Sequence, residues 1–176
     1  LTIINDPDTT PPSGAEDGEY LAGEGPAGAS TITNAAVEAL LASGNVTLQA
    51  SSNLTQNADA HINASTAGAS SLTLDAGQNV LLQGNITLQN GDVTVTAGNT
   101  LSLEGAVTTG GNVSMTGGGG GLTMGAAGSI HAGSGSVTLS APGPLEVSTI
   151  NANSVSLTST VGSVLRGGTS LITAND

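Results

Sequence analysis

Aliphatic and polar residues alternate along this chain in short phrases, and one phrase returns six times: NVTLQA (Asn45 to Ala50), SLTLDA (Ser71 to Ala76), DVTVTA (Asp92 to Ala97), NVSMTG (Asn112 to Gly117), SVTLSA (Ser136 to Ala141) and SVSLTS (Ser154 to Ser159). Each runs polar, aliphatic, Ser or Thr, aliphatic, polar, small, which is the period-two alternation of a strand with one buried face. From Val46 through Leu72, Val93, Val113 and Val137 to Val155 the steps are 26, 21, 20, 24 and 18 residues. A recurrence of that length marks a solenoid.

Two further strand phrases fall inside every period. The second position reads NLTQ (Asn53 to Gln56), NVLLQG (Asn79 to Gly84), TLSLEG (Thr100 to Gly105), GLTMGA (Gly121 to Ala126), PLEV (Pro144 to Val147) and SVLRG (Ser163 to Gly167). The third is shorter: HINA (His61 to Ala64), NITL (Asn85 to Leu88), AVT (Ala106 to Thr108), SIH (Ser129 to His131), TIN (Thr149 to Asn151) and SLIT (Ser170 to Thr173). Gly, Asn and Ala separate them as corners. Short strands with frequent turns also suit a sandwich or barrel, but antiparallel folds favour hairpin turns and aromatic cores. This chain has one Asn-Gly pair, Asn90 and Gly91, and neither Phe nor Trp. The pattern therefore predicts an all-β fold: a parallel β-helix over residues 30–176 with three short strands per coil, about six coils and a lead-in turn.

Residues 1–29 read differently. They carry six of the thirteen acids (Asp6, Asp8, Glu16, Asp17, Glu19 and Glu24), four of the six prolines and the sole aromatic, Tyr20. This predicts an extended acidic arm with one candidate strand, LTII (Leu1 to Ile4), on a Pro/Gly linker. Between arm and coils lies STITNAAVEALLASGNVTLQA (Ser30 to Ala50). There Val37, Leu40 and Leu41 share one helical face, and Ser43-Gly44 ends the turn before the first repeated strand.

That stretch resembles the filamentous haemagglutinin and haemagglutination-activity family of large exported bacterial adhesins. In that family a pattern like sIxxaLxxGnVtLxA, followed by LTLxAgxnIxLxgxI, recurs. The resemblance covers roughly residues 30 to 174. It implies a right-handed parallel β-helix, export across the outer membrane by a two-partner route, and a place at the bacterial surface or matrix as adhesin, haemolysin or structural shaft. An NPNG-type motif, the mark of the family's secretion domain, is missing. A start at Leu1 rather than Met is expected of a processed product or a piece of something longer.

Charge narrows the partners. With no Lys, a single Arg (Arg166) and a formal net charge of −12, nucleic acid and anionic membrane are poor partners. There is no apolar run of membrane-spanning length and no Cys. Pectin-degrading β-helical enzymes join acidic clusters to Arg and Lys, which this composition does not supply. Glu104 and Glu146, the candidate pair on repeated strands, fall two coils apart, at the ends of second-position strands, which does not suit a glycosidase pair. His61 and His131 lie three coils apart, about 14 Å, too far to share an ion. Asp6, Asp8, Glu16, Asp17 and Glu19 are oxygen donors for Ca²⁺, but neither an EF-hand loop nor a glycine-rich calcium nonapeptide is present. The expectation is a chain without catalysis, metal or cofactor.

Five N-x-Ser/Thr tripeptides occur, at Asn45, Asn53, Asn63, Asn85 and Asn112. Asn corners followed by Thr-bearing strands generate them by construction. Adhesins similar to this family carry sugars on such asparagines, which makes these five the candidate glycosylation positions.

Function is then argued from shape. A solenoid exposes unpaired strand edges at each end unless something covers them. With a detached apolar strand at one end and SLITAND at the other, the expectation is head-to-tail stacking of copies into an extracellular filament through Leu1, Thr2, Ile3, Ile4, Leu171 and Ile172. The alternative is the shaft or binding segment of a large secreted adhesin that meets a host or neighbouring-cell surface ligand. Sugar sites favour aromatic platforms, and Tyr20 lies outside the repeat.

Overall fold

The computed structural model describes residues 1–8, 10, 19–20, 30–167 and 171–174. It is a β-solenoid of three parallel sheets with one helix, α1, at Asn34–Ser43. Sheet 1 holds β2 (Glu19–Tyr20), β4 (Val46–Ala50), β7 (Leu72–Ala76), β10 (Val93–Ala97), β13 (Val113–Thr116), β16 (Ser136–Ala141) and β19 (Ser154–Ser159). Sheet 2 holds β3 (Thr31–Thr33), β1 (Thr2–Ile4), β5 (Leu54–Gln56), β8 (Val80–Leu82), β11 (Thr100–Leu103), β14 (Gly121–Met124), β17 (Leu145–Val147) and β20 (Val164–Arg166), stacked in that order. Sheet 3 holds β6 (Ile62–Ala64), β9 (Ile86–Leu88), β12 (Ala106–Thr108), β15 (Ser129–His131), β18 (Thr149–Ala152) and β21 (Ile172–Ala174). Among the described residues this makes six three-strand coils, joined by five steps.

Each strand pairs with its counterpart one coil away, so equivalent residues stack. In sheet 1 one inward column runs Val46, Leu72, Val93, Val113, Val137, Val155, and the next runs Leu48, Leu74, Val95, Met115, Leu139, Leu157. Sheet 3 contributes Ile62, Ile86, Val107, Ile130, Ile150 and Ile172. These columns fill a narrow lumen, and all but their last members are buried. Burying one such side chain contributes about 1.5–3 kcal/mol, so a stack of this depth holds without disulfides. The outward row of sheet 1 is hydroxylic throughout: Thr47, Thr73, Thr94, Ser114, Thr138 and Ser156.

Corners obey the same stacking. Gly77, Gly98 and Gly118 sit over one another between sheets 1 and 2, and Gly91, Gly111 and Gly135 do so between sheets 3 and 1. A Cβ on any of them would run into the carbonyl oxygen of the coil below, Gly77 O in the case of Gly98. The glycines are there for close backbone approach.

Residues 1–4 correct one expectation. The strand predicted at Leu1 to Ile4 exists as β1, but it is not detached. It lies between β3 and β5, with Ile3 opposite both Ile32 and Gln56 and fully buried. Backbone bonds clamp it from both sides, Thr2 N–H to Ser30 O at 2.8 Å and Asn57 N–H to Ile3 O at 3.0 Å. Ile3 is thus spent inside the chain, and a strand bonded on both edges leaves no free edge for another molecule. Tyr20, expected outside the repeat, is likewise buried on β2 directly over Leu48. Residues 9, 11–18 and 21–29 of the acidic arm, with Glu16, Asp17 and Glu24, lie outside the described residues.

The N-terminal end is therefore closed by a layer assembled out of chain order: β2 on sheet 1, β1 with β3 beyond it on sheet 2, and α1 across the edge of sheet 3. The helix starts where Thr33 Oγ1 accepts the Ala36 N–H at 3.0 Å, a side-chain N-cap. It buries Ala36, Val37, Leu40 and Leu41. Asn34 Nδ2 donates to His61 O at 2.8 Å, and Glu38 Oε1 accepts the Asn63 N–H at 2.7 Å. Those two bonds satisfy backbone groups beside β6 that a seventh sheet-3 strand would otherwise meet.

Gly98→Ala is expected to destabilise the protein by about 1–3 kcal/mol, the range for forcing atoms into a packed site. At Gly119 a Cβ meets nothing within 4 Å, so Gly119→Ala is expected to leave chemical-denaturation midpoints nearly unchanged. Equal midpoints for the two variants would remove the packing account of the corner glycines.

Candidate functional site

The residues the sequence offered for chemistry do not converge. Glu146 is the central residue of β17 and points outward, rather than ending its strand as expected. Glu104 follows β11 and accepts a bond from Ser102 Oγ at 3.0 Å. The two remain two coils apart, about 10 Å along the axis. His61 is exposed and its Nδ1 accepts the Asn85 N–H at 3.0 Å, so the ring serves as a corner link between coils. His131 is exposed three coils on. Among the described residues no group of three or more His, Cys, Asp or Glu could hold a metal ion. Asp6 and Asp8 are engaged in local turns, Asp6 Oδ1 with Asp8 N–H and Asp8 Oδ1 with Thr10 N–H, each at 2.9 Å.

The five candidate glycosylation asparagines are all exposed, and each carboxamide oxygen already accepts a bond. Before sheet 1, Asn45 Oδ1 takes the Ser71 N–H at 2.9 Å, Asp92 Oδ1 takes the Asn112 N–H at 2.7 Å and Asn112 Oδ1 takes the Ser136 N–H at 2.9 Å. Before sheet 3, Asn85 Oδ1 takes the Ala106 N–H at 2.9 Å. Before sheet 2, side chains bond directly: Asn79 Nδ2 to Asn53 Oδ1 at 2.9 Å and Asn99 Nδ2 to Asn79 Oδ1 at 3.0 Å. Asn63 Oδ1 accepts only its neighbour Ser65 N–H, at 3.4 Å. These asparagines are inter-coil fasteners first. Their spacing in the sequence signals the corners, since one stands at the same offset before strand after strand.

What distinguishes one part of the surface is the C-terminal end. Val155 and Leu157 continue columns whose other members are buried, yet they are only partly covered. Val164, Leu165 and Leu171 are 45%, 53% and 62% exposed, and Val161 at the corner is 87% exposed. Ile172 packs on Ile150 while its outer side is open. Among the described residues no strand pairs with the outer edges of β19, β20 or β21. The two ends of the rod are thus unlike. The candidate contacts Leu171 and Ile172 belong to the open one, whereas Leu1 to Ile4 belong to the closed one.

Comparison with protein-family models, curated proteins and solved structures gives no match. No helix among the described residues is long and apolar enough to cross a membrane.

Asn79→Ala removes three inter-coil bonds, to Asn53, Asn99 and the Thr100 N–H. At about 0.5–1.5 kcal/mol each, it is expected to cost roughly three times what Asn53→Ala costs at the end of the ladder, where one such bond is lost, measured by urea unfolding. Bonds from the Thr10 backbone and side chain hold the Asp8 carboxyl below the usual range. A depressed carboxyl contributes above its unfolded value and loses that contribution as pH falls through the folded one. An NMR titration is expected to find the Asp8 midpoint below that of the same residue in urea.

Proposed function

We propose that this chain is a non-catalytic structural protein of the bacterial exterior, a β-solenoid rod closed at its N-terminal end and extended from its C-terminal end. The observation that carries the reading is the contrast between the two faces. One ends in a buried layer of Ile3, Tyr20, Ile32, Val37 and Leu41; the other leaves Val155, Leu157 and Val164 half-covered above a continuous core. A face of that kind is completed by one more coil. An extracellular setting is supported by the resemblance of residues 30 to 174 to filamentous haemagglutinins.

Of the two ways to extend such a rod, the shaft of a large adhesin is better supported than a filament of identical subunits. In head-to-tail stacking the three open strands of one copy would meet an end where α1 already covers sheet 3 and where Ile3, one of the residues expected to dock, is buried. Receptor binding along the sides has weaker support, since one outward row of sheet 1 holds only Ser and Thr and the one aromatic is inside.

Electron microscopy and sedimentation velocity on the untagged chain, across a wide concentration range, are expected to show single rods whose six coils span about 30 Å. Fibres with an axial repeat of about seven coil rises would reverse the order of the two forms and make the chain a filament subunit.

A further inference from the structure

One lumen column ends in a charge. In sheet 2 the inward positions run from Ile3 through Gln56, Leu82 and Leu103 to Met124, and two positions on from the Leu122 and Leu145 pair the same column reaches Val147 and then Arg166. Leu82, Leu103, Met124 and Val147 are buried. Arg166, the only Lys or Arg in the whole chain, occupies the next place in that column and is exposed, with no strand above it among the described residues. Any coil laid on β20 would seal a guanidinium into the lumen.

A buried, unpaired guanidinium costs several kcal/mol, and inward-pointing charge is a known way to keep an edge strand from pairing indiscriminately. This chain's own N-terminal face offers no relief. Its outermost sheet-2 strand is β3, whose inward residue is Ile32. An apolar coil would fill the sheet-1 side over Val155 and Leu157 and yet strand the charge on the sheet-2 side.

We propose that Arg166 selects what completes the C-terminal end: a further parallel β-helical coil whose sheet-2 strand places a carboxylate over the Arg166 position, and not a second copy of this chain's N-terminal layer. Carboxylate and guanidinium match in charge and in planar geometry, and enclosure in the lumen would strengthen the pair. Neighbouring positions then need only aliphatic residues to continue the exposed columns. The inference rests on reading the C-terminal face as the extending end, and the test separates the two.

The probe is a labelled 20-residue peptide of one whole coil, residues 92–111 of this chain, in which Leu103 holds the inward place concerned. A second peptide carries Leu103→Glu. Both are titrated by fluorescence anisotropy against the full chain and its Arg166→Leu variant. The glutamate peptide is expected to bind the natural chain at least about tenfold more tightly than the leucine peptide, a factor that salt reduces, with the order reversed on Arg166→Leu. Sedimentation of the two chains alone is expected to show both monomeric, since α1 still covers sheet 3 at the N-terminal end. If both peptides bind both chains alike, the role of Arg166 is overturned and the extending end stands. If neither peptide binds either chain, the extending end falls as well. Self-association of the natural chain would also overturn the proposal, because the charge would then exclude nothing.

Discussion

The constraint on which the rest depends is zero-offset parallel stacking. Every coil is hydrogen-bonded to the next with each residue over its own equivalent, so whatever a position requires it requires six times. That is why aliphatics align into continuous columns, why corner glycines recur where a Cβ would strike the carbonyl below, and why Asn, Ser and Asp return just before the first inward aliphatic of the sheet 1 strands. Small residues suit a lumen this narrow. Stability then comes from neighbouring coils, as in any solenoid, and the problem passes to the two places where a neighbour is missing.

This also explains how far the sequence could be read. The three strand phrases per coil were legible because alternation and repetition reinforce each other: a phrase such as NVTLQA is ambiguous alone, but six copies in order are not. The helix at Asn34–Ser43 was legible from one apolar face and a Gly stop. The closing layer was not. Glu19–Tyr20 is a two-residue strand with no period, Thr2–Ile4 has three residues, and they lie beside β4 and β5, respectively, only through tertiary pairing. Proline and acid around them read as a linker, and burial of Ile3 between Ile32 and Gln56 leaves no trace in local pattern. The separation of Glu104 from Glu146 and of His61 from His131 was easier to anticipate, since residues two or three coils apart stay apart in any stacked fold.

Gln56 shows how a polar residue is accommodated inside the lumen. It is fully buried in the first coil, and its Nε2 donates to Ala60 O at 2.6 Å and to Asn85 O at 3.3 Å, tying the corners of two successive coils. Room for that amide exists because Gly84 has no Cβ: one placed there would lie 2.8 Å from Gln56 Nε2. Its Oε1 is left without a partner among the described residues, a cost of about 1–3 kcal/mol unless a water reaches it. Beyond it, Ile3 and the closing layer continue the apolar stack, so one imperfect group is diluted in a sealed end.

Arg166 belongs to the same column as Gln56, and the comparison shows why the two ends behave differently. An amide can be absorbed by corner carbonyls with a modest residual penalty, because it carries no net charge. A guanidinium has five donors and a full charge to satisfy, and the corner oxygens that served Gln56 would do so only in part. Near the closed end the column therefore tolerates a neutral polar group under an apolar lid, while at the open end it presents a charge that an apolar lid would bury unpaired. The shape of the C-terminal face invites another coil, and the chemistry of a single side chain restricts which coil completes it.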